Sequence, residues 1–461
     1  MSDLKETLEE RKERAIIVGV DLGNSDDFEE SMEELEALAE ACNMEVVCAV
    51  TQKMPAIHHS LYIGTGKVAE VREYVQNLWA DVVIFGDTLT PSQLRNLQQE
   101  LDTAVMDRTN LILEIFSKRA RTREARLQVE VANLQYILPR LVGMHEALSR
   151  QGGGSGLANK GAGEKKLELD RRKIEHRLAQ LRRELEEVSK DRQTQRKQRA
   201  NSGIPRVALV GYTNAGKSTM MNQMLSTYGG PEEKQVMEKD MLFATLETTV
   251  RNIKIDRNRQ LLLSDTVGFI NHLPHGLVKA FRSTLEEACE ADLILNIIDA
   301  SDPHHKQHIK VTEDTLKDLN VGDAPMIYVY NKADKCMEEP LPVIRGDDKI
   351  YLSAKSGEGL PELIEMIFQK LHSGHLDAEF LVPYADGRAV SDILQKCTVY
   401  ETSYEESGTL LKVRCDLAVY QKYKEYLLKY ANKQLKEHRF PREALYPVCR
   451  CRGDRCSLSV C

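Results

Sequence analysis

The sequence predicts a multidomain α/β chain, and three observations carry that reading. At 461 residues it exceeds what one hydrophobic core organises, so three or four domains are expected. Short apolar runs alternate with amphipathic helical stretches near the N-terminus and again in the middle, the pattern of mostly parallel sheets flanked by helices. Between those regions apolar residues recur at 4-3 spacing, which marks paired helices.

Residues 1–108 are expected to form an N-terminal α/β domain. Apolar runs at 15–20, 46–50 and 82–85 read as strands. Residues 28–42 read as an amphipathic helix with Met32, Leu35, Leu38 and Ala39 on one face. Gly64-Thr65-Gly66-Lys67 lacks the spacing of a phosphate loop and is expected to be a tight turn capping a helix over 68–78.

Residues 109–203 predict a helical coiled-coil hairpin. Leu127, Val131, Leu134, Leu138 and Leu141 form one seam, and Ile174, Leu178, Leu181, Leu185 and Val188 the other. Pro139 is expected to kink the first helix. The connection, 151–163, is a glycine-rich basic loop longer than a hairpin turn needs. Glycine allows close backbone approach to another surface, and Arg150, Lys160, Lys165, Lys166, Arg171, Arg172 and Lys173 supply positive charge around it. That combination suits phosphate-rich RNA, the alternative being a plain linker.

Residues 204–372 carry the chemistry. Gly211, Tyr212, Thr213, Asn214, Ala215, Gly216, Lys217 and Ser218 fit G-x-x-x-x-G-K-[ST] between the apolar run 207–210 and a helix opening at Thr219. In such a loop backbone N–H groups cradle phosphates, the lysine reaches the β/γ-phosphates, and the hydroxyl binds Mg²⁺. The run 261–263 ends in Asp265-Thr266-Val267-Gly268, which places an acid to hold Mg²⁺ through water and a glycine N–H near the γ-phosphate. The strand 326–330 enters Asn331-Lys332-Ala333-Asp334, where a carboxylate can accept from guanine N1–H and the 2-amino group, donors adenine does not pair in this way. Ser353-Ala354-Lys355 follows another apolar run and can offer a backbone N–H to the guanine oxygen. The four motifs in order resemble a translation-factor-type GTPase domain, which implies a doubly wound, mostly parallel sheet.

Two details bear on catalysis. Many relatives of that domain type place a water-orienting glutamine after D-x-x-G, and here Phe269 stands there, so slow intrinsic hydrolysis needing outside help is expected. Asn214 resembles the asparagine of GTPases that use K⁺ to neutralise charge between the phosphates, the alternative being that it only shapes the loop. A mobile-loop ligand for Mg²⁺ and the γ-phosphate is sought among Thr245, Thr248 and Thr249, which chemistry alone does not separate.

Residues 378–446 are expected to form a small C-terminal α/β domain: a strand from Phe380, a helix over 390–397, a hairpin over 399–415 and a helix over 417–435. Residues 447–461 read as a flexible tail with Cys449, Cys451, Cys456 and Cys461 at a spacing that fits no common zinc site. The net charge of −8 excludes a globally basic nucleic-acid binder, leaving a local patch for any RNA contact. No apolar run of ~18 residues suggests a membrane span, and the acidic start lacks a signal-peptide core. A cytoplasmic monomer is expected.

Taken together the chain resembles the HflX family of ribosome-associated GTPases. The resemblance rests on the glycine-rich stretch running into Glu164 and Leu167-Glu168-Leu169-Asp170-Arg171-Arg172, on the phosphate loop, on Phe243-Ala244-Thr245-Leu246-Glu247, and on Asp265 through Phe269. It selects Thr245 as the mobile-loop residue and implies that Ser218 and Thr245 contact Mg²⁺, with Lys217, Thr245 and Gly268 in the catalytic set. It implies binding of GTP and GDP, acceptance of ATP by some members, and association with the large (50S) ribosomal subunit and its rRNA. The implied role is splitting or rescuing stalled ribosomes, or assisting subunit maturation, with any membrane association peripheral and through ribosomes. The chain departs from the family at Gly161-Ala162-Gly163-Glu164, where G-P-G-E is usual, and at Glu247-Thr248-Thr249, where D-P-T is usual.

Overall fold

The computed structural model describes residues 11–23, 28–151, 157–200, 203–229, 242–243, 248–256, 259–271, 287–319, 321, 324–336, 340–371 and 375–428. The chain divides into two compact units, Met1–Leu371 and His372–Cys461.

The first unit opens with a parallel four-stranded sheet in the order β2-β1-β3-β4. Its strands are β1 (Glu13–Asp21), β2 (Met44–Lys53), β3 (Val82–Phe85) and β4 (Ala104–Asp107). Every residue of β3 is buried, as a strand covered on both faces requires. Helices α1 (Phe28–Ala41), α2 (Thr65–Leu78), α3 (Pro91–Leu101) and α4 (Arg108–Arg119) cover it. Gly64 is the N-cap of α2, which starts at Thr65, so Thr65, Gly66 and Lys67, expected in a turn ahead of the helix, are helical. Helix α3, which the apolar pattern did not announce, starts at a capping box between Thr90 and Gln93 with Pro91 in its first turn. Helix α4 starts where Asp107 accepts from the Asn110 N–H at 2.8 Å. This helix lies past the expected boundary at 108, yet Leu111, Ile112, Ile115 and Phe116 pack into the N-terminal core.

Helices α5 (Arg123–Gln151) and α6 (Leu157–Ala200) form the hairpin. Leu127, Val131, Leu178 and Leu181 make its buried seam, with Leu134, Leu138, Ile174, Leu185 and Val188 beside them. Arg177 clamps Glu130 with two bonds of 2.7 and 3.0 Å across the pair. One expectation is corrected here, the extent of the connecting loop. Helix α6 begins at Leu157, so residues 157–163, expected in the loop, are helical. Helix α5 is continuous through Pro139, and the Arg140 guanidinium donates to the nearby Tyr136 carbonyl at 2.8 Å. A second face of α5, through Ala125, Val129, Ala132 and Tyr136, packs on the N-terminal core.

A seven-stranded sheet follows, ordered β10-β11-β9-β8-β5-β7-β6. Its strands are β5 (Arg206–Val210), β6 (Thr249–Lys254), β7 (Gln260–Asp265), β8 (Leu293–Asp299), β9 (Met326–Asn331), β10 (Val343–Ile344) and β11 (Lys349–Tyr351). The inner strands are parallel, and β6 and β10 run antiparallel at the two edges. Helices α7 (Lys217–Tyr228), α8 (His305–Asp318) and α9 (Leu360–Leu371) pack against it. Strands β5, β7 and β9 deliver their C-terminal ends to one rim, where an open parallel sheet binds its ligand.

The second unit is an antiparallel sheet of β12 (His375–Val382), β14 (Gly408–Asp416) and β13 (Thr398–Glu405), in that order. Helix α10 (Gly387–Lys396) places Ile393 among Phe380, Leu411 and Val413. Helix α11 (Leu417–Lys422) gives way to a 3-10 turn over Lys424–Tyr426, so the expected helix over 417–435 is interrupted early, and residues 429–435 lie outside the described residues. The four tail cysteines also lie outside them.

Candidate functional site

The loop between β5 and α7 is wrapped around Lys217. Its ammonium donates to the carbonyls of Gly211 at 3.0 Å and Tyr212 at 2.7 Å. Burial pulls its pKa down to about 8, partly opposed by the Asp265 carboxylate. Gly216 has φ +95°, and a Cβ there would lie 2.2 Å from Asn331 Nδ2. Only glycine fits both the backbone conformation and the close approach. Thr219 lies in the first turn of α7, Thr213 and Ala215 are buried, and Asn214 is exposed with φ +59°.

The Ser218 hydroxyl donates to Asp265 Oδ2 at 2.8 Å. Asp265 is fully buried at the end of β7, and Thr266 anchors the next residue by donating to the Leu209 carbonyl at 2.7 Å. A hydroxyl and a carboxylate in one place are hard oxygen donors that fit Mg²⁺. Gly268 is pressed against the loop: a Cβ on it would lie 2.8 Å from Thr213 Cγ2 and 3.0 Å from Lys217 Nζ. Phe269 is buried among Ala208, Val210 and Ile294, so its ring belongs to the core.

On the base side, Asn331 bridges two loops. Its Nδ2 donates to the Ala215 carbonyl at 2.9 Å and its Oδ1 accepts from the Ala354 N–H at 2.9 Å. Ala354 was expected among the donors to the guanine oxygen, and its N–H is engaged here by Asn331. Lys332 donates to the Asn214 carbonyl at 2.8 Å and pairs with Asp299 at 2.7 Å. Asp334 is exposed at the rim, Ser353 is buried, and Lys355 is exposed.

Both segments that the sequence reading assigns to the γ-phosphate reach the N-terminal core. Val267 and Ile270 are buried in it. So is Phe243, whose ring meets Phe116 edge-on at 4.8 Å. Ala244, Thr245, Leu246 and Glu247 lie outside the described residues. Sequence reasoning missed the polar side of this junction. Tyr212 donates to Glu34, Arg108 pairs with Glu34, and the Asn271 N–H donates to the Tyr212 hydroxyl at 2.8 Å.

The hairpin candidates are partly visible. Arg171 pairs with Glu175 at 2.9 Å, Arg172 with Glu168 at 3.0 Å and Lys173 with Asp170 at 3.2 Å. Exposed pairs of this kind are weak and exchange readily for phosphate. The side chains of Arg150, Lys160, Lys165 and Lys166 lie outside the described residues.

A phosphate loop after β5, a buried acid ending β7 and an N-K-x-D turn after β9 define a P-loop GTPase. The family model described as "GTP-binding GTPase N-terminal" matches residues 29–117, "GTP-binding GTPase Middle Region" matches 119–199, and "50S ribosome-binding GTPase" matches 206–332. The chain is 43% identical to GTPase HflX of Caldanaerobacter subterraneus subsp. tengcongensis over 93% of this chain and 97% of that relative. It is 42% identical to GTPase HflX of Lacrimispora saccharolytica over 88% and 94% of the two chains. The crystal structure of a GTP-binding protein from Sulfolobus solfataricus in complex with GDP is 23% identical, covers 78% of this chain and 99% of its own, and superposes with a TM-score of 0.41. The chain belongs to the HflX family of GTPases.

Proposed function

We propose that this GTPase is a GTP-driven switch acting on the large ribosomal subunit, splitting or rescuing stalled or stressed ribosomes. The observation that carries the reading is that one compact unit holds both the nucleotide site and the hairpin. Helix α6 alone, at 44 residues, is about 66 Å long. It carries arginines in exchangeable pairs, as a probe of a phosphate-rich surface needs.

In the proposed cycle Lys217 contacts the β/γ-phosphates, Ser218 and Thr245 hold Mg²⁺ directly, and Asp265 holds it through water. The Gly268 N–H meets the γ-phosphate and Asp334 accepts from guanine. With Ala354 N–H engaged by Asn331, the N–H of Lys355 takes the guanine oxygen. The Asn214 amide, exposed at the loop, takes K⁺ as extra positive charge. Arg150, Lys160, Lys165, Lys166, Arg171 and Arg172 contact rRNA.

Turnover is measured with and without 50S subunits, and 70S particles are sedimented with each nucleotide. Stimulation by 50S together with GTP-dependent loss of 70S supports the reading. Absence of stimulation rejects it. Cosedimentation with immature 50S without 70S splitting assigns the chain to GTP-gated subunit assembly instead. Equal rates in KCl and NaCl at matched ionic strength reject the K⁺ role.

A further inference from the structure

The segment after Asp265 is held at both ends. At its start Thr266 donates to the Leu209 carbonyl at 2.7 Å, and just past Gly268 the main chain pairs with the phosphate loop: the Thr213 N–H donates to the Phe269 carbonyl at 2.8 Å, and the Phe269 N–H donates to the Gly211 carbonyl at 3.1 Å. At its far end Asn271 is taken up by the N-terminal region. Its N–H donates to the Tyr212 hydroxyl at 2.8 Å and to Glu34 Oε1 at 3.3 Å. Its carbonyl accepts from Arg108 at 3.0 Å, and its side-chain amide donates to Glu30 at 3.1 Å. Tyr212 donates to Glu34, which also pairs with Arg108. His308 stacks on the Tyr212 ring at 3.7 Å and bonds Glu30 at 2.9 Å.

Glu34, Arg108, Tyr212 and Asn271 are all buried. Among the described residues Arg108 Nη2 bonds both Glu34 and the Asn271 carbonyl, while its Nε and Nη1 are buried without a hydrogen-bond partner, so Arg108 joins the network through that one nitrogen. Gly268 sits three residues before Asn271, already beside Lys217. A segment clamped on both sides presents the Gly268 N–H to an arriving γ-phosphate without a search. A free loop would have to order first.

We propose that Glu34 and Arg108 of the N-terminal region, acting through Tyr212 and Asn271, are positioning residues for GTP hydrolysis. Glu34 and Arg108 lie outside the phosphate loop and act by setting where the Gly268 N–H stands. Neither residue needs a ribosomal partner to act in this way, so the free full-length protein suffices to separate this role from the ribosomal one.

Tyr212→Phe removes one hydroxyl and keeps the ring that stacks on His308. It should lower kcat for GTP about 10- to 100-fold, with KM and GDP affinity within about two-fold. The variant should also bind GDP with aluminium fluoride more weakly than the parent, since that complex mimics the transferring phosphoryl group. Glu34→Gln should lower kcat to a similar extent, and the double variant should be no slower than the slower single, as residues on one path require. Arg108→Lys, which keeps a donor to Asn271, should restore part of the rate lost in Arg108→Met. An unchanged or raised kcat in Tyr212→Phe, with its melting temperature near the parent's, overturns the proposal. So does a melting temperature that falls while kcat per folded molecule stays constant, because the network would then only join two parts of the fold.

Discussion

Asn331 and Ala354 are 23 residues apart and joined side chain to backbone at 2.9 Å, and the same asparagine reaches the Ala215 carbonyl at 2.9 Å. One amide therefore ties the turns at 331–334 and 353–355 to the phosphate loop. Asn331→Ala leaves a buried N–H and a buried carbonyl without partners, at a cost of about 1–3 kcal/mol for each stranded group. Thermal melting of the nucleotide-free protein should fall, and GTP and GDP affinities should fall together. A selective loss of GTP with GDP unaffected would contradict a tie that acts on base and phosphate loop alike.

Nucleotide binding at Lys217 should be a proton-linked event. Burial brings its pKa down to about 8, below its ordinary value of 10.5. The unfolded chain therefore binds more protons between those two values, and the lysine's contribution to stability rises with pH across that window. Phosphate oxygens favour the charged ammonium and raise its pKa again. Binding above pH 8 should therefore take up protons, and affinity should decline as pH rises from 8 to 10. Calorimetry at pH 8.5 in buffers of different ionisation enthalpy measures the uptake. Lys217→Met should abolish it, and equal uptake in that variant would place the proton elsewhere.

The motif residues were legible because each stands at the end of a strand whose apolar run is itself legible. Asp265 closes β7, Asn331 closes β9 and the phosphate loop follows β5. Helix α3 was not, since its eleven residues include three glutamines and its caps, Thr90 and Asp102, announce the element better than its apolar face does. The second buried face of α5 was hidden for another reason. Its leucine seam dominates the pattern, while Ala125, Val129 and Ala132 are too small to stand out. The junction at Tyr212 was not readable at all. Glu34 lies on α1 among Glu29, Glu30, Glu33, Glu36 and Glu40, and nothing in that run distinguishes a buried acid from solvated ones. Only the fold brings it to Arg108, 74 residues on.

Phe243 precedes the threonine loop and is held in a left-handed conformation at φ +52°. A bulky residue there carries about 1–3 kcal/mol of strain, sustained only by what surrounds it. What surrounds it is the N-terminal core, with Phe116 edge-on at 4.8 Å. Phe243→Ala should cost about 3–5 kcal/mol by the cavity it leaves, because alanine keeps the Cβ and with it the left-handed strain. Hydrogen exchange should then quicken in α4 as well as around Phe243. Protection unchanged in α4 would mean the contact is not part of that core's stability.

Asp334 offers the sharpest test of base choice. It follows Ala333, whose N–H donates to the Leu352 carbonyl at 3.2 Å, so the turn is tied to β11's loop while the carboxylate stays exposed at the rim. Guanine presents two donors, N1–H and the 2-amino group, and a carboxylate accepts both. In Asp334→Asn one acceptor becomes an NH₂ donor facing another donor. GTP should bind about 100-fold more weakly or worse, since a polar site rejects a mismatched partner far more strongly than an apolar one does. Xanthosine triphosphate carries a carbonyl in place of the 2-amino group and complements the new amide, so it should gain what GTP loses. Competition between the two nucleotides in parent and variant measures the exchange. ATP should gain nothing, because its base supplies neither pattern. A variant that loses GTP without gaining xanthosine triphosphate would show a damaged turn, and one that keeps GTP affinity would remove Asp334 from base recognition.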